Sequence, residues 1–273
     1  MLANFRFGIM NFRLYKILIA IIIPISVAGQ SASDINQIDA LGKKQGRWIR
    51  NYPNNVVMYD GFFKDDYPEG EFKRYYRNSA LQSVLIYSNQ GTIADAKIYH
   101  QNGFIAAQGK YVNQQKEGLW QFYSSFENGS LLNKEFYSKN LRNGESLKFY
   151  PDGTVAEKIN YENDIASGEL LKYYPNGNIN LRSAMINGKI DGKFEAWFEN
   201  GQIQFSGTYK QDRKEGKWLI YEKDGALRYK INYVNGITSD NKIDMDIEAY
   251  LDSLEQNQGK ILDPEKAGES IMY

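Results

Sequence analysis

The chain has 273 residues, with 33 Lys and Arg balanced by 33 Asp and Glu, so no net charge draws it toward nucleic acid or an acidic membrane. It has no cysteine and a single histidine, His100, which excludes disulfides, thiolate metal sites, a cysteine nucleophile, a lipoprotein cysteine and any histidine cluster. Most of its 21 tyrosines fall in the columns of an internal repeat, a structural reason for their number that precedes any functional one.

In chain order the first element is a targeting segment. Arg13 and Lys16 precede an apolar run at 17–25, and Ser26-Val27-Ala28 supplies small residues of the kind a signal peptidase reads. The run falls short of the ~20 residues that span a bilayer. Residues 1–29 therefore read as a signal peptide, and the mature protein as exported to the periplasm, the cell envelope or the medium. Residues 30–45 form a lead-in. Within it Gly42-Lys43-Lys44-Gln45-Gly46 matches a later inter-repeat link, Gly188-Lys189-Ile190-Asp191-Gly192, and is expected to supply part of a first strand.

Residues 46–239 repeat with a period of 24. Anchors fall at Gly46, Gly70, Ala94, Gly118, Gly144, Gly168, Gly192 and Gly216, with one step of 26 that holds a two-residue insertion near Ser124. A fixed period of this size marks a repeat architecture whose units cannot bury their own apolar faces alone. Each unit reads as a β-hairpin. In the sixth, a strand at 169–174 meets Pro175-Asn176-Gly177 and returns at 178–185. Pro presets φ for a type I turn, Asn tolerates the next position, and Gly accepts the left-handed site that follows. Such a turn places position 5, counted from the anchor as 0, opposite position 11.

Three columns run through the units. Position 5 holds Tyr75, Tyr99, Tyr123, Phe149, Tyr173, Trp197 and Tyr221, with Asn51 the exception. Position 11 holds aliphatic residues from Val57 to Leu227, and position 17 mostly tyrosines, from Phe63 to Tyr233. All three offsets are odd, so alternation predicts that they share one face. The opposite face is then expected to carry Trp48, Phe72, Trp120, Leu170, Phe194 and Trp218 at position 2, cations at position 4 and tyrosines at position 6. On that mixed face Lys148, Tyr150, Lys158, Lys172, Tyr174 and Arg182 of repeats five and six form the candidate binding site, rings beside cations being suited to sugars or acidic groups. The carboxylates at position 1, Glu71, Asp95, Glu145 and Glu169, recur because the repeat recurs. A flat sheet gives them no pocket, so no catalytic residue, metal or cofactor is expected.

After Gly236 the pattern ends. Residues 240–256 place Ile243, Ile247, Tyr250, Leu251 and Leu254 on one helical stripe, which is expected to cap the last repeat, and 257–273 read as a disordered tail. The fold class is all-β: an elongated, single-layer antiparallel sheet of about eight 24-residue hairpins with a short C-terminal helix, roughly 75 Å long at the usual strand spacing.

The unit G-x-W/F-x-x-Y-Y-P-N-G-x-I/L, followed by Y-x-N-G-x-x-x-G, resembles the bacterial MORN-repeat-variant family, YwqK-type, whose members are often labelled antitoxin components. The units at 168–177, 192–201 and 216–225 carry the resemblance most closely, and the third repeat, with Ala94 and Ala96, departs most and is expected to be irregular. The resemblance implies a twisted sheet of hairpins that contacts proteins or lipids. The expectation is an exported, non-enzymatic scaffold that binds a protein or envelope glycan, with no nucleic acid, weak membrane-surface contact and edge-to-edge dimerisation. The alternative is an antitoxin-like or immunity protein that neutralises a toxin by direct binding.

Overall fold

The computed structural model describes residues 34–240 and, beyond them, 244, 245, 247 and 249. The expected signal peptide, most of the expected helix at 240–256 and the tail at 257–273 lie outside the described residues. Four described positions of that helix, 244, 245, 247 and 249, have helical backbone.

From Asp34 on, the chain forms one antiparallel sheet of 18 strands. A short β1 (Gln37–Ile38) leads into the first hairpin, β2 (Lys44–Asn51) with β3 (Val57–Lys64). The next are β4 (Tyr67–Tyr75) with β5 (Leu81–Ser88), β6 (Ile93–Tyr99) with β7 (Ile105–Val112), and β8 (Gln115–Tyr123) with β9 (Leu131–Ser138). They continue as β10 (Leu141–Phe149) with β11 (Val155–Glu162), and β12 (Ile165–Tyr173) with β13 (Ile179–Ile186). After a short β14 (Lys189–Ile190) come β15 (Gly192–Trp197) with β16 (Ile203–Lys210), and β17 (Arg213–Tyr221) with β18 (Leu227–Tyr233). Each strand pairs with its chain neighbour, and β13 bonds both β14 and β15, so strand order is chain order throughout.

The hairpin tips form as their sequence dictates. At Asp152, Asn176, Asn200 and Asp224 the side-chain oxygen accepts from the backbone N–H two residues on, and the glycine that follows each has φ between 85° and 88°. The weaker tips place Asn55 and Ser79 at φ 62° and 68° instead. The insertion of repeat four is absorbed in a 3-10 turn, Glu127–Gly129.

The predicted pairing of positions 5 and 11 is present in all eight hairpins, as in Tyr75 with Leu81 and Tyr173 with Ile179. One step further the register shifts by a residue. Position 4 then pairs with 13, as in Arg74 with Ser83, and the anchor pairs with 17, as in Gly70 with Tyr87. Position 12 is the extra residue of a β-bulge, and a one-residue slip exchanges every face of the strand beyond it. The predicted sharing of one face by positions 5, 11 and 17 is therefore corrected. Position 17 joins positions 2 and 4, together with 13 and 15. Burial records the bulge directly, because consecutive residues are buried at Ala106–Ala107, Leu132–Asn133, Ala156–Glu157, Asn180–Leu181 and Gln204–Phe205.

The face so assembled is the packed one. One cluster centres on Trp120, with Leu85, Ala96, Ile98, Phe122 and Tyr137. A second, larger one centres on Trp218, with Phe194, Phe205, Ile231, Tyr233 and Ile247. Both tryptophans are fully buried. Each lies flat over a glycine on the preceding strand: a Cβ at Gly109 would meet the Trp120 ring at 2.4 Å, and one at Gly207 the Trp218 ring at 2.3 Å. Tyrosines of position 17 stand edge-on to them, with Tyr111–Trp120 centroids 4.8 Å apart and Tyr209–Trp218 5.2 Å apart. Such edge contacts are worth about 0.5–1.5 kcal/mol beyond the area they bury. Gly207→Ala must displace the indole, so it is expected to destabilise the chain by about 1–3 kcal/mol in urea denaturation. A midpoint unchanged from that of the parent chain would contradict this packing.

Candidate functional site

Each repeat is tied to the next by side chains at the sheet margin. At position 6 the hydroxyls of Tyr52, Tyr76, Tyr150 and Tyr174 donate to the carbonyls of Tyr75, Tyr99, Tyr173 and Trp197, at 2.7–2.9 Å. His100 occupies the same rung, its Nε2 3.0 Å from the Tyr123 carbonyl. Burial pushes the Tyr76 and Tyr150 hydroxyls above their ordinary pKa, which keeps them protonated donors. The hydroxyls of Tyr150 and Tyr174, two of the candidate binding groups, thus hold neighbouring repeats together. The opposite margin has its own ladder, in which Asp66, Asn140, Asp164 and Asp212 accept from backbone N–H groups one repeat earlier.

The four candidate cations divide between the faces, which corrects their placement on a single mixed face. Lys148 and Lys172 lie on the packed face on either side of Glu157, their Nζ atoms 2.9 and 3.9 Å from its carboxylate. Glu157 is buried, so this three-strand cluster shields a charge that would be costly alone. Lys158 and Arg182 sit at position 14, beyond the bulge, and so point to the outer face, where they pair with Glu145 and Glu169. Arg182 also lies over the Trp197 ring, 5.7 Å from its centroid. The remaining position 1 carboxylates, Glu71 and Asp95, pair with Lys73 and Lys110 on that outer face.

Repeats four and five also hold a polar band that the repeat pattern alone did not reveal. Asn133, Glu135, Ser146 and Glu157 are buried there, between the two apolar clusters. The Tyr137 hydroxyl donates to Glu135 at 2.6 Å, and Asn133 Nδ2 donates to its other oxygen at 3.2 Å. Arg142 stacks 4.0 Å from the Tyr161 ring centroid and reaches Asp164 at 3.0 Å. Partial burial would raise the Asp164 carboxyl, but hydrogen bonds from the Arg142 backbone and guanidinium outweigh it and hold the pKa below the usual carboxylate range. The departures from the repeat at Asn133, Glu135 and Ser146, where most other units have apolar residues or glycine, were the available signal.

Repeat three departs in a way opposite to expectation. The junction into it is the more regular one: β5 of repeat two and β6 of repeat three pair from Ser88–Ile93 to Ser83–Ile98 without a break. Elsewhere the anchor glycine takes a positive φ at a second bulge, as Gly70 does at 66° and Gly118 at 70°. Ala94, with a Cβ, forgoes that bulge. The two residues it would have absorbed lengthen the preceding turn to four, Asn89 to Thr92, with Gly91 at φ 73° against Pro68. The 24-residue period survives. Because Ala94 and Ala96 replace glycine and a ring, a cavity of about 750 Å³ opens on the packed face, lined by Tyr67, Arg74, Leu85, Tyr87, Ala94 and Tyr111 among others. Burial, with the nearby Tyr87 adding to it, pushes the Tyr111 hydroxyl up to about 12.

The outer face of repeats one, two and four carries exposed apolar side chains. Phe62, Ile86 and Phe136 at position 16 and Leu119 at position 1 are 43, 45, 43 and 42% exposed. In repeats five to eight position 16 holds Asn160, Ala184, Thr208 and Asn232 instead. Among the described residues no cluster of His, Asp or Glu is arranged to hold a metal, and no helix is long and apolar enough to cross a membrane.

An open antiparallel meander of hairpins, bonded repeat to repeat at both margins, defines a β-hairpin repeat protein. Four stretches of the chain, residues 68–89, 142–163, 190–211 and 214–235, match the MORN repeat variant family. The match supports neither a YwqK-type subgroup nor an antitoxin label. No curated protein matches the chain. Among solved structures, an alternansucrase in complex with isomaltononaose shares 17% identity over 74% of this chain and 15% of its own, at a TM-score of 0.20. A TcdB2–TccC3–Cdc42 complex shares 10% identity over 71% of this chain and 12% of its own, at a TM-score of 0.18. Likenesses that slight carry no argument about ligand or activity.

The cavity tyrosine gives a pH expectation. An unfolded tyrosine loses its proton near 10, whereas folded Tyr111 keeps it to about 12. Between those values the folded state holds more protons, so its contribution is intact below pH 10 and is lost as pH rises toward 12. Urea denaturation at stepped pH is expected to show a smaller alkaline loss for Tyr111→Phe than for the parent chain. Identical slopes would contradict the burial of this hydroxyl.

Proposed function

We propose that the protein is an exported, non-enzymatic scaffold that binds a protein partner through the outer face of its sheet. One observation carries the reading: Phe62, Ile86, Leu119 and Phe136, apolar side chains of repeats one, two and four, are exposed on one face of the sheet. Large apolar side chains left exposed on one face, rimmed by charged residues, favour a partner surface. Charged groups intersperse these side chains, with Asp95 and Lys110 between Ile86 and Leu119, and Lys158 and Arg182 extend the face into repeats five and six. Lys148, Tyr150, Lys172 and Tyr174 serve the sheet itself, holding Glu157 and the inter-repeat rungs.

Export rests on Arg13, Lys16 and the apolar run at 17–25 followed by Ser26-Val27-Ala28. Absence of catalysis rests on the repeat nature of the carboxylates and their engagement in ion pairs.

The test is capture of partners from envelope extract by the immobilised chain from residue 30 onward, compared with an Ile86→Glu, Phe136→Glu variant. Because both side chains lie on the exposed face and outside the packed clusters, the variant is expected to melt within about 0.5 kcal/mol of the parent while losing the captured protein. Equal capture by both chains would reject the outer face as the contact surface. Cytoplasmic retention of the tagged full chain with residue 1 still attached would reject export.

A further inference from the structure

The ring at position 17 recurrently meets a cation from two residues before the anchor. Lys44 lies 4.8 Å from the Phe63 ring centroid, Arg142 4.0 Å from that of Tyr161, Lys116 4.6 Å from that of Tyr137 and Lys214 5.1 Å from that of Tyr233. In repeats four and eight a carboxylate completes the arrangement. Glu135 accepts from the Tyr137 hydroxyl at 2.6 Å, and Asp244 accepts from both the Tyr233 hydroxyl at 2.8 Å and Lys214 Nζ at 2.9 Å. Asp244 and Ile247 stand three residues apart on helical backbone, a spacing that puts both on one helical face. Ile247 is 3% exposed within the Trp218 cluster. The chain thus displays how a carboxylate and an aliphatic side chain, borne together, seat on this face.

Repeats two and three present the receiving half of that arrangement without its acceptor. Their cation positions hold Pro68 and Thr92, and the 750 Å³ cavity lies there. Arg74 supplies the positive charge instead. Across the strand from it lies Ser83, where the equivalent Lys148 faces Glu157. The Ser83 hydroxyl is itself buried and without a partner. Among the described residues, Arg74 has no carboxylate within ion-pair distance, and the Tyr87 and Tyr111 hydroxyls have no hydrogen-bond partner. Leu85, Pro68 and Ala94 form the apolar part of the wall.

The geometry points to this cavity as a receptor for an acidic peptide segment of a partner protein, its carboxylate taken by Arg74, Tyr87 and Tyr111 and its aliphatic side chain by the Leu85 wall. Guanidinium and phenol donors converging on one carboxylate are the charge-assisted kind of hydrogen bond, the strong kind. The site is on the packed face, apart from the exposed outer-face side chains, so either assignment can fail without the other.

The probe is a capped, fluorescent peptide with the sequence of residues 240–256, titrated by anisotropy into the full chain. Hydrogen exchange then locates the contact. Binding is expected to protect β5, β6 and the 89–92 turn. Arg74→Gln in the chain, or Asp244→Asn in the peptide, is expected to weaken binding about tenfold, and Tyr87→Phe with Tyr111→Phe several-fold, while melting curves show each variant folded. The proposal is overturned by any of three results: no binding at millimolar peptide, protection confined to residues 214–233, or an affinity indifferent to Arg74→Gln.

Discussion

One residue per hairpin governs the molecule. The bulge residue at position 12 shifts the pairing sum by one, and that shift decides which side chains look inward together. With it, the tryptophans and phenylalanines of the outgoing strand meet the tyrosines of the return strand and cover glycines such as Gly109 and Gly207. Without it, the rings of positions 2 and 17 would lie on opposite sides of the sheet, and neither face would have enough apolar surface to exclude water. The packed face, the cavity within it and the exposed apolar side chains behind it all follow from this single offset.

Stability in such a chain is built between neighbours. The rungs at position 6 and the Asx bonds at the other margin each join one unit to the next, so they convert sequence period into a continuous sheet. The core, however, is not continuous. Glu135, Asn133, Ser146 and Glu157 interrupt it, with Lys148, Lys172 and Arg142 supplying countercharge. Two apolar clusters therefore flank an ion-paired band, and the band depends on complete pairing, since a buried carboxylate stripped of its partner is far costlier than an exposed one.

Much of the fold was legible in the sequence because the turns are chemically explicit. Pro-Asn-Gly and Pro-Asp-Gly fixed the hairpin tips, and with them the pairing of positions 5 and 11. The faces beyond the tip were not legible, because alternation counted along the chain is blind to a bulge in the partner strand. This is why Lys158 and Arg182 separated from Lys148 and Lys172 although all four belong to two adjacent hairpins. Ala94 was recognised as a departure, but its consequence was reversed: loss of the glycine removed a bulge and lengthened a turn. The hydroxyls of Tyr150 and Tyr174 looked like contact groups because nothing in a linear reading reports a carbonyl 23 residues away.

Because the chain has no cysteine of its own, the decisive measurement is the thiol reaction rate of single cysteines placed in turn at residues 131 to 137. The bulge predicts slow reaction at two consecutive positions, Leu132 and Asn133, then fast at Lys134, slow at Glu135, fast at Phe136 and slow at Tyr137. Unbroken alternation through Leu132 and Asn133 would contradict the register on which the packed face, the cavity and the outer face all depend.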